Sequence, residues 1–214
     1  MGRRLRKRIC SLKTLKRIIY LISPKKIDKS FYKNLDKVLS FKNVEFFQLR
    51  LKKIKIKNLI KIAKKIKKIT NKYNVKFILN DNYFLACQIK ADGCHMGQLD
   101  GSFKMARKKL GNRLLGVTCH NSKILAKNAV KIKADYIAFG SFFKSKLKPK
   151  AIRANLEILK WSKKNIKKPI VVIGGINNIN YKKLLNAGAN YIAISSFIWD
   201  NPKFKPEVAI RKFK

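Results

Sequence analysis

Residues 76–100, KFILNDNYFLACQIKADGCHMGQLD, contain two predicted strands with a short helix between them. The apolar run 75–79 forms the first strand, and residues 92–96 form the second. A strand–helix–strand unit of this length makes the two strands parallel, so their carboxyl ends lie at one edge of the sheet. Asp81 follows the first strand and Asp100 follows the second. The stretch therefore predicts a parallel sheet in which two carboxylates face a common point.

The acidic residues of this stretch suggest a metal site. Two carboxylates with the amide of Asn80 beside them are suitable ligands for a Mg²⁺ ion that keeps part of its water shell. Acidic residues are also scarce here, because the chain has 53 Lys and Arg against 10 Asp and Glu. Local structure offers an alternative, in which Asp81 caps the next helix and Asp100 starts a turn.

The same alternation of a short apolar strand and a helix continues in both directions until eight units are counted. Runs such as VVIG (171–174) and YIAI (191–194) are short and β-branched, as expected of strands covered on both faces. Eight units in about 200 residues predict an α/β fold, a single-domain TIM (β/α)8 barrel with parallel strands and its chemistry at their carboxyl ends. A doubly wound sheet is the rival, but it normally has a glycine-rich turn where Ser23-Pro24-Lys25 follows the first strand.

The predicted strands span residues 18–23, 44–50, 75–79, 92–96, 114–118, 135–139, 170–173 and 191–195. The predicted helices include residues 30–41, 57–73, 83–85, 102–110, 122–131, 153–165, 178–186 and 207–213.

Composition limits the classes of function. The net charge of +43 attracts anions, which include nucleic acid, anionic lipid and small phosphorylated molecules. The lysines are spread through nearly every helix, which favours a bias in composition over a dedicated nucleic-acid surface. The four cysteines show no CxxC spacing and indicate reduced thiols in a cytoplasmic protein. No apolar run approaches the roughly 18 residues that a membrane helix needs. We expect a basic N-terminal extension at residues 1–16 and one barrel domain at residues 17–214.

The end of the second strand is basic. Alternation along a strand places Gln48, Arg50 and Lys52 on the same side. A guanidinium and an ammonium group in that position would bind a diphosphate. An ordinary basic edge in a lysine-rich chain is the alternative.

Two Cys-His pairs, Cys94-His95 and Cys119-His120, raise the question of a zinc site. Neighbouring residues of a strand point to opposite faces, so the two pairs cannot bring all four side chains to one ion without distortion. His120 lies near the predicted mouth, where it would bind a ligand or act as an acid or base, unless it is a structural imidazole.

The last three strands are followed by residues that suit a phosphate. A long donor-rich loop, residues 140–148, follows the sixth strand, Gly174-Gly175 follows the seventh, and Ser195-Ser196 follows the eighth. Glycines allow backbone N–H groups to approach a ligand. The loops after strands 7 and 8 are the usual phosphate site of TIM barrels.

These motifs together resemble a known family. QLRLK, ILND, DGCHMGQLD, GVTCH, AFGSFFKSKLK, VVIGGI and GANYIAISS occur in the order and spacing of the thiamine-phosphate synthases, and the resemblance covers residues 18–198. It implies a transferase that joins hydroxymethylpyrimidine diphosphate to a thiazole phosphate, releasing diphosphate and forming thiamine phosphate. The reaction of the family is dissociative, so no protein nucleophile is needed.

The resemblance also implies roles for individual residues. Asp81 and Asp100 would hold Mg²⁺, and the cations among the residues around them would neutralise the departing diphosphate. The catalytic residues implied are Arg50, Lys52, Thr118 and Lys148. The contacts implied for the pyrimidine diphosphate are Gln48, Arg50, Lys52, Asn80, Thr118 and Lys148, and those for the thiazole phosphate are Ser145, Gly175, Ser195 and Ser196.

The chain departs from the family pattern at three positions. Leu51 stands where an acid is common between the Arg and Lys of the second-strand motif. Leu147 replaces a second hydroxyl in the loop after the sixth strand, and Thr118 stands where a serine is common. These changes leave the metal and diphosphate end intact and affect the thiazole end.

Two other functions remain open at this point. A thiazole tautomerase, a related barrel, would need an acid or base such as His120 and no pair of metal ligands. A basic barrel that binds nucleic acid without catalysis would need basic residues on one face with exposed aromatic rings for stacking. The joint presence of Arg50, Lys52, Asp81 and Asp100 favours the synthase, acting on small phosphorylated substrates, with nucleic acid and membrane not expected as partners. Oligomeric state does not follow from the sequence.

Overall fold

The computed structural model describes residues 17–144 and 153–214. Eight parallel strands form a closed barrel in the order of the chain, with helices outside, so the predicted TIM barrel is confirmed. The strands are β1 Ile19–Ile22, β2 Val44–Leu49, β3 Lys76–Asn80, β4 Gly93–Met96, β5 Leu114–His120, β6 Tyr136–Gly140, β7 Ile170–Ile173 and β8 Tyr191–Ile194. The helices are α1 Lys29–Leu39, α2 Ile56–Lys72, α3 Tyr83–Gln88, α4 Phe103–Leu110, α5 Lys123–Lys131, α6 Leu156–Asn165, α7 Tyr181–Asn186, α8 Ser196–Trp199 and α9 Pro206–Ile210.

Three predictions lie outside the described residues: the basic extension at residues 1–16 and the roles of Ser145 and Lys148. The division into an extension and a barrel domain therefore stays a prediction. Within the described ranges, no helix is long and apolar enough to cross a membrane.

Several helices begin later than the sequence pattern predicts, because a polar residue caps them. Asn155 accepts a hydrogen bond from the N–H of Ile158, so α6 begins at Leu156 and not at residue 153. Asn177 and Asn180 accept each other's backbone N–H groups in a turn, so α7 begins three residues later than predicted, at Tyr181. The Asn155 cap satisfies one of the first N–H groups of α6, which have no partner within the helix, whereas the Asn177–Asn180 turn holds the chain in a non-helical form before α7.

The barrel has two apolar layers. One fills the space between the strands and the helices, and the other lies inside the barrel. In the inner layer Phe46 packs edge-on against Tyr191, with 5.0 Å between the ring centroids, and lies 5.3 Å from the ring of Tyr20. These rings fill the amino-terminal half of the interior, so the space that remains lies at the carboxyl ends of the strands.

An ion pair ties two neighbouring units together at the amino-terminal end of the barrel. Asp135 accepts hydrogen bonds from the Leu115 N–H at 2.7 Å and from Arg107 Nη1 at 2.8 Å. Arg107 also donates to the carbonyl groups of Gly111 and Arg113. Side chains that satisfy loop carbonyls in this way hold α4 against the starts of β5 and β6.

Candidate active site

A cavity of about 530 Å³ opens at the carboxyl ends of the strands. Residues from all eight strand ends or the loops that follow them form its wall, and polar side chains come from every one of these except the end of β7. Every predicted site residue of the described chain lies on this wall. They are Gln48, Arg50, Lys52, Asn80, Asp81, Asp100, Thr118, Gly175, Ser195 and Ser196, with His120 beside them.

One side of the cavity is basic. Gln48, Arg50 and Lys52 all face it, as alternation along β2 predicts. The Gln48 side chain is buried, and its Nε2 donates to Asn80 Oδ1 at 2.7 Å. The backbone N–H of Arg50 donates to Ser23 Oγ at 2.9 Å, which fixes the start of the loop that carries the guanidinium. Two cations on the loop after β2 therefore lie beside an amide pair that joins the ends of β2 and β3.

The two acidic residues meet at the mouth. Their carboxyl groups lie within hydrogen-bonding distance of each other. Burial, reinforced by the neighbouring Asp100, raises the pKa of Asp81 to about 6, although Lys52 and Arg50 act in the opposite direction. Burial works to raise the pKa of Asp100 as well, but its hydrogen bonds with Asp81 and the Gly97 N–H hold it below the usual range. The acidic pair therefore takes up its first proton mainly on Asp81, whose pKa is raised to about 6, while Asp100 stays ionised.

The backbone places Asp81 in the site and not at the helix. Asp81 has a φ of +69°, and its N–H donates to the His95 carbonyl at 2.8 Å. Asn82 is the residue that caps α3, through the N–H of Leu85. The alternative in which Asp81 caps the helix is therefore wrong, whereas Asp100 does close a turn with Gly97 while lining the cavity.

The donor set fits a hard divalent cation. Two carboxylates forced together repel each other when both are charged, and a cation with a partly retained water shell removes that repulsion. In the described part of the chain, no group of three or more His, Cys, Asp and Glu could hold a metal ion. Protein ligands other than the pair would have to be amide, carbonyl or hydroxyl oxygens, with water or a substrate phosphate.

The Cys-His pairs are divided between the two layers. Cys94 and Cys119 are buried against the helices, whereas His95 and His120 line the cavity. Thr118 and His120 are two residues apart on β5, and both side chains line the cavity. Alternation along β4 and β5 therefore separates each cysteine from its histidine neighbour.

The opposite wall of the cavity is formed by the ends of β6, β7 and β8. Gly175 has a φ of +62°, and a Cβ atom added to it would lie 2.4 Å from the Lys144 carbonyl oxygen. The Phe143 N–H donates to the Gly174 carbonyl at 3.0 Å, so the loop after β6 lies directly on the two glycines. Any side chain at Gly175 would separate these two segments.

A short helix that the sequence pattern does not predict follows β8. Helix α8 begins at Ser196, directly after Ser195. Trp199 Nε1 donates to the Ile22 carbonyl at 2.7 Å, and Ser195 Oγ donates to the Ser23 carbonyl at 3.1 Å. These bonds fix the end of β8 against the end of β1, and so position both serines at the cavity wall.

Sequence analysis did not assign four further wall residues, Ser23, Lys25, Gln98 and His95. Ser23, Lys25 and Gln98 follow strands, so the rule that chemistry lies at strand ends would have found them, whereas His95 lies within β4. Gln98 Nε2 donates to the Thr118 carbonyl and links the ends of β4 and β5. The His95 side chain lies at the base of the cavity, and its Nε2 atom is 2.8 Å from Thr118 Oγ1.

Comparison with known proteins identifies the family. A family model described as "Thiamine monophosphate synthase" matches residues 19–198, which is most of the chain. The chain belongs to this family. Its fold, its family and its class as a transferase are as the motifs predict, and the alternatives of a tautomerase and a nucleic-acid-binding barrel are not favoured.

Members of the thiamine monophosphate synthase family match along nearly the whole chain. A thiamine-phosphate synthase of Pelagibacter ubique is 55% identical over 200 residues, covering 93% of this chain and 97% of that protein. One of Erythrobacter litoralis is 41% identical, covering 85% of this chain and 87% of that protein. A solved structure, the thiamine phosphate pyrophosphorylase of Pyrococcus furiosus, superposes with a TM-score of 0.81 at 26% identity and covers 94% of each chain.

Proposed function

We propose that the cavity joins hydroxymethylpyrimidine diphosphate to a thiazole phosphate with the help of Mg²⁺, giving thiamine phosphate and diphosphate. The observation that carries the proposal is the meeting of two carboxyl groups with Arg50 and Lys52 at one mouth. Membership of the family supports the reaction type. A Mg²⁺ ion at the acidic pair, together with the basic wall, would suit a diphosphate, which carries more charge than any other group in this reaction.

The diphosphate binds between the acidic pair and the basic wall. Asp81 and Asp100 hold Mg²⁺, which when bound neutralises the charge that develops on the departing diphosphate. Arg50 and Lys52 would contact the diphosphate, and their hydrogen bonds would become stronger as negative charge develops on its oxygens. The sequence prediction adds Lys148 to this set.

The pyrimidine lies deeper, against Gln48, Asn80 and Thr118. The hydrogen bond from Gln48 to Asn80 leaves the second amide proton of Gln48 and the amide group of Asn80 for the ring. The thiazole phosphate lies against Gly175, Ser195 and Ser196, on the opposite wall, with Ser145 as a further predicted contact. The bond between the pyrimidine methylene carbon and the diphosphate oxygen breaks first, its electron pair leaving with the diphosphate. The thiazole nitrogen then attacks the resulting carbon cation, and the protein's part is to align the two substrates.

The enzyme acts, on this proposal, on small phosphorylated molecules in the cytoplasm. Cys87, Cys94 and Cys119 are free thiols, which supports a reducing compartment.

A coupling assay tests the proposal. Purified protein with both phosphorylated precursors and Mg²⁺ should release diphosphate and form thiamine phosphate, and EDTA should stop the reaction. The variants Asp81→Ala and Asp100→Ala should lose turnover and Mg²⁺ affinity together. Asp36→Ala is the matched control, since it removes a surface carboxylate paired with Lys72 outside the cavity.

Other outcomes would contradict the proposal. Full turnover by Asp81→Ala or by the metal-free protein would remove the role of the acidic pair. A wild-type protein that is inactive in coupling but moves a proton on a carboxythiazole phosphate would be a tautomerase. One that is inert with both but shifts RNA at physiological salt would be a binding protein.

A further inference from the structure

Four side chains form a continuous row beneath the cavity. Tyr20 Oη lies 2.7 Å from Tyr136 Oη, which lies 3.2 Å from His95 Nδ1, and His95 Nε2 lies 2.8 Å from Thr118 Oγ1. Both phenols are buried, and the imidazole stacks on the Tyr136 ring with 17° between the planes. Thr118 is the member of the row that the resemblance assigns to the pyrimidine diphosphate, so the row ends at the substrate.

The buried end of the row fixes the direction of its protons. Tyr20 Oη has one hydrogen-bond partner among the described residues, Tyr136 Oη. A buried hydroxyl that fails to donate is costly, so Tyr20 donates to Tyr136. The Tyr136 oxygen then accepts from Tyr20, and its own proton points to the one other partner described for it, His95 Nδ1.

The proton order continues through the imidazole. Since Nδ1 accepts from Tyr136, the ring proton of His95 lies on Nε2, which donates to Thr118 Oγ1. The Thr118 oxygen already accepts from His95, and its own proton therefore points away from the row. A proton on Nδ1 would make His95 a donor to Tyr136 and leave one of the two phenol protons without an acceptor among the described residues.

We propose that Tyr20, Tyr136 and His95 are positioning residues whose directed hydrogen bonds make the Thr118 hydroxyl a donor to an acceptor atom of the pyrimidine diphosphate. The proposal rests on the proposed function for the identity of that substrate. Without the row, the threonine hydroxyl would donate to His95 as readily as it accepts, and would then present no proton to the ligand. Thr118 would thus be held ready as a donor before the substrate arrives.

Two further observations support a row that is built into the fold. Burial raises the pKa of both tyrosines well above its ordinary value, so both phenols keep their protons. Gly116 lies beneath the Tyr136 ring, where an added Cβ atom would come within 2.0 Å of the ring carbon Cζ. A larger residue at position 116 would displace Tyr136 from His95.

The first test measures the position of the His95 proton directly. The chain has two histidines, so the ¹H–¹⁵N correlation spectrum of the ligand-free protein has two imidazole patterns, and His120→Gln assigns them. We expect His95 to be the neutral Nε2–H tautomer in the wild type. A proton on Nδ1, or on both ring nitrogens, at neutral pH would overturn the proposal. This result does not depend on coupling activity, so it stands apart from the test of the proposed function.

The second test asks whether the row acts through Thr118. Tyr136→Phe should lower kcat/KM for the pyrimidine diphosphate about tenfold, the range of one hydrogen bond to a charged group, with little change in KM for the thiazole phosphate. In a Thr118→Val background the same change should cost less than about twofold, because the hydroxyl it orients is gone. Thr118→Ser should restore the dependence on Tyr136. If the losses of kcat/KM caused by Tyr136→Phe and by Thr118→Val multiplied in the double variant, the proposal would be overturned.

Two variants separate this role from stability. Tyr20→Phe/Tyr136→Phe removes both phenol hydroxyls at once, which leaves no unpaired buried group between them and should preserve the fold while lowering kcat/KM as Tyr136→Phe does. Tyr181→Phe is the matched control, since it removes a buried phenol hydroxyl that bonds to Lys214 outside the row. Equal losses of kcat/KM in Tyr181→Phe and Tyr136→Phe would show a structural effect and overturn the proposal.

Discussion

Replacement of Gly175 by alanine tests how closely the thiazole-phosphate wall is built. The added Cβ atom would lie 2.4 Å from the Lys144 carbonyl oxygen and 2.8 Å from Phe143 Cβ. Ordinary van der Waals contact begins at 3.4 Å, so Gly175 and the loop after β6 must separate by about 1 Å. The contacting atoms are a backbone carbonyl oxygen and a Cβ atom, so the clash cannot be relieved by moving the end of a flexible side chain.

The size of the effect follows from that displacement. A misplacement of about 1 Å in a positioned site costs roughly a hundredfold in rate. In the variant, alanine would also have to adopt the positive φ of position 175, which adds backbone strain of about 1–3 kcal/mol to the folded state. We therefore expect Gly175→Ala to fold, to lose roughly a hundredfold in kcat/KM for the thiazole phosphate, and to keep most of its affinity for the pyrimidine diphosphate.

The assay is steady-state coupling, with each substrate varied while the other is saturating, and urea unfolding on the same samples. Gly111→Ala is the matched control, because Gly111 also has a positive φ, +58°, but has open space around its Cβ position. It should lose stability and keep its activity. If Gly175→Ala retained wild-type kcat/KM, or fell no further than Gly111→Ala, the reasoning about the loop contact would be wrong.

Three other predictions concern the barrel itself. Gly116→Ala should lower the free energy of unfolding in urea by about 2–4 kcal/mol, since the Tyr136 ring must leave its hydrogen bonds. The stability of the wild type should fall as pH rises above the ordinary tyrosine pKa of 10.0, because the unfolded chain then loses protons that Tyr20 and Tyr136 keep when folded. In the variant Tyr20→Phe/Tyr136→Phe, the temperature of thermal unfolding should fall less over the same rise in pH than in the wild type. Arg107→Ala should cost about 1–3 kcal/mol through Asp135 and the loop carbonyls without changing kcat, which chemical denaturation and the coupling assay together would check.

The layout of the mouth could be predicted from sequence because it depends on short-range rules. A period of two residues along β2 places Gln48 and Arg50 on one side, and parallel strands bring Asp81 and Asp100 to one edge. The helix starts were less accurate, because capping by residues such as Asn155 moves them by several positions. Pattern and spacing decide which residues reach the cavity, and local hydrogen bonds decide where each element begins.

The base of the cavity could not be predicted in the same way. Tyr20 and Tyr136 lie 116 positions apart in sequence, and their contact depends on the stagger of strands around the closed barrel. The space for the Tyr136 ring depends on the absence of a side chain at Gly116, which reads in sequence as an ordinary strand glycine. Helix α8 is four residues long and carries no periodic signal.

The aromatic rings that fill the lower half of the barrel leave a chamber with its opening at the carboxyl ends of the strands. Substrates and products therefore enter and leave through the same opening. In the proposed arrangement the pyrimidine diphosphate lies deeper, against Gln48 and Asn80. It would then have to bind before the thiazole phosphate, and a thiazole phosphate that bound first would block it. We expect this order of binding to appear as substrate inhibition by the thiazole phosphate, competitive with the pyrimidine diphosphate and relieved when the pyrimidine diphosphate is raised.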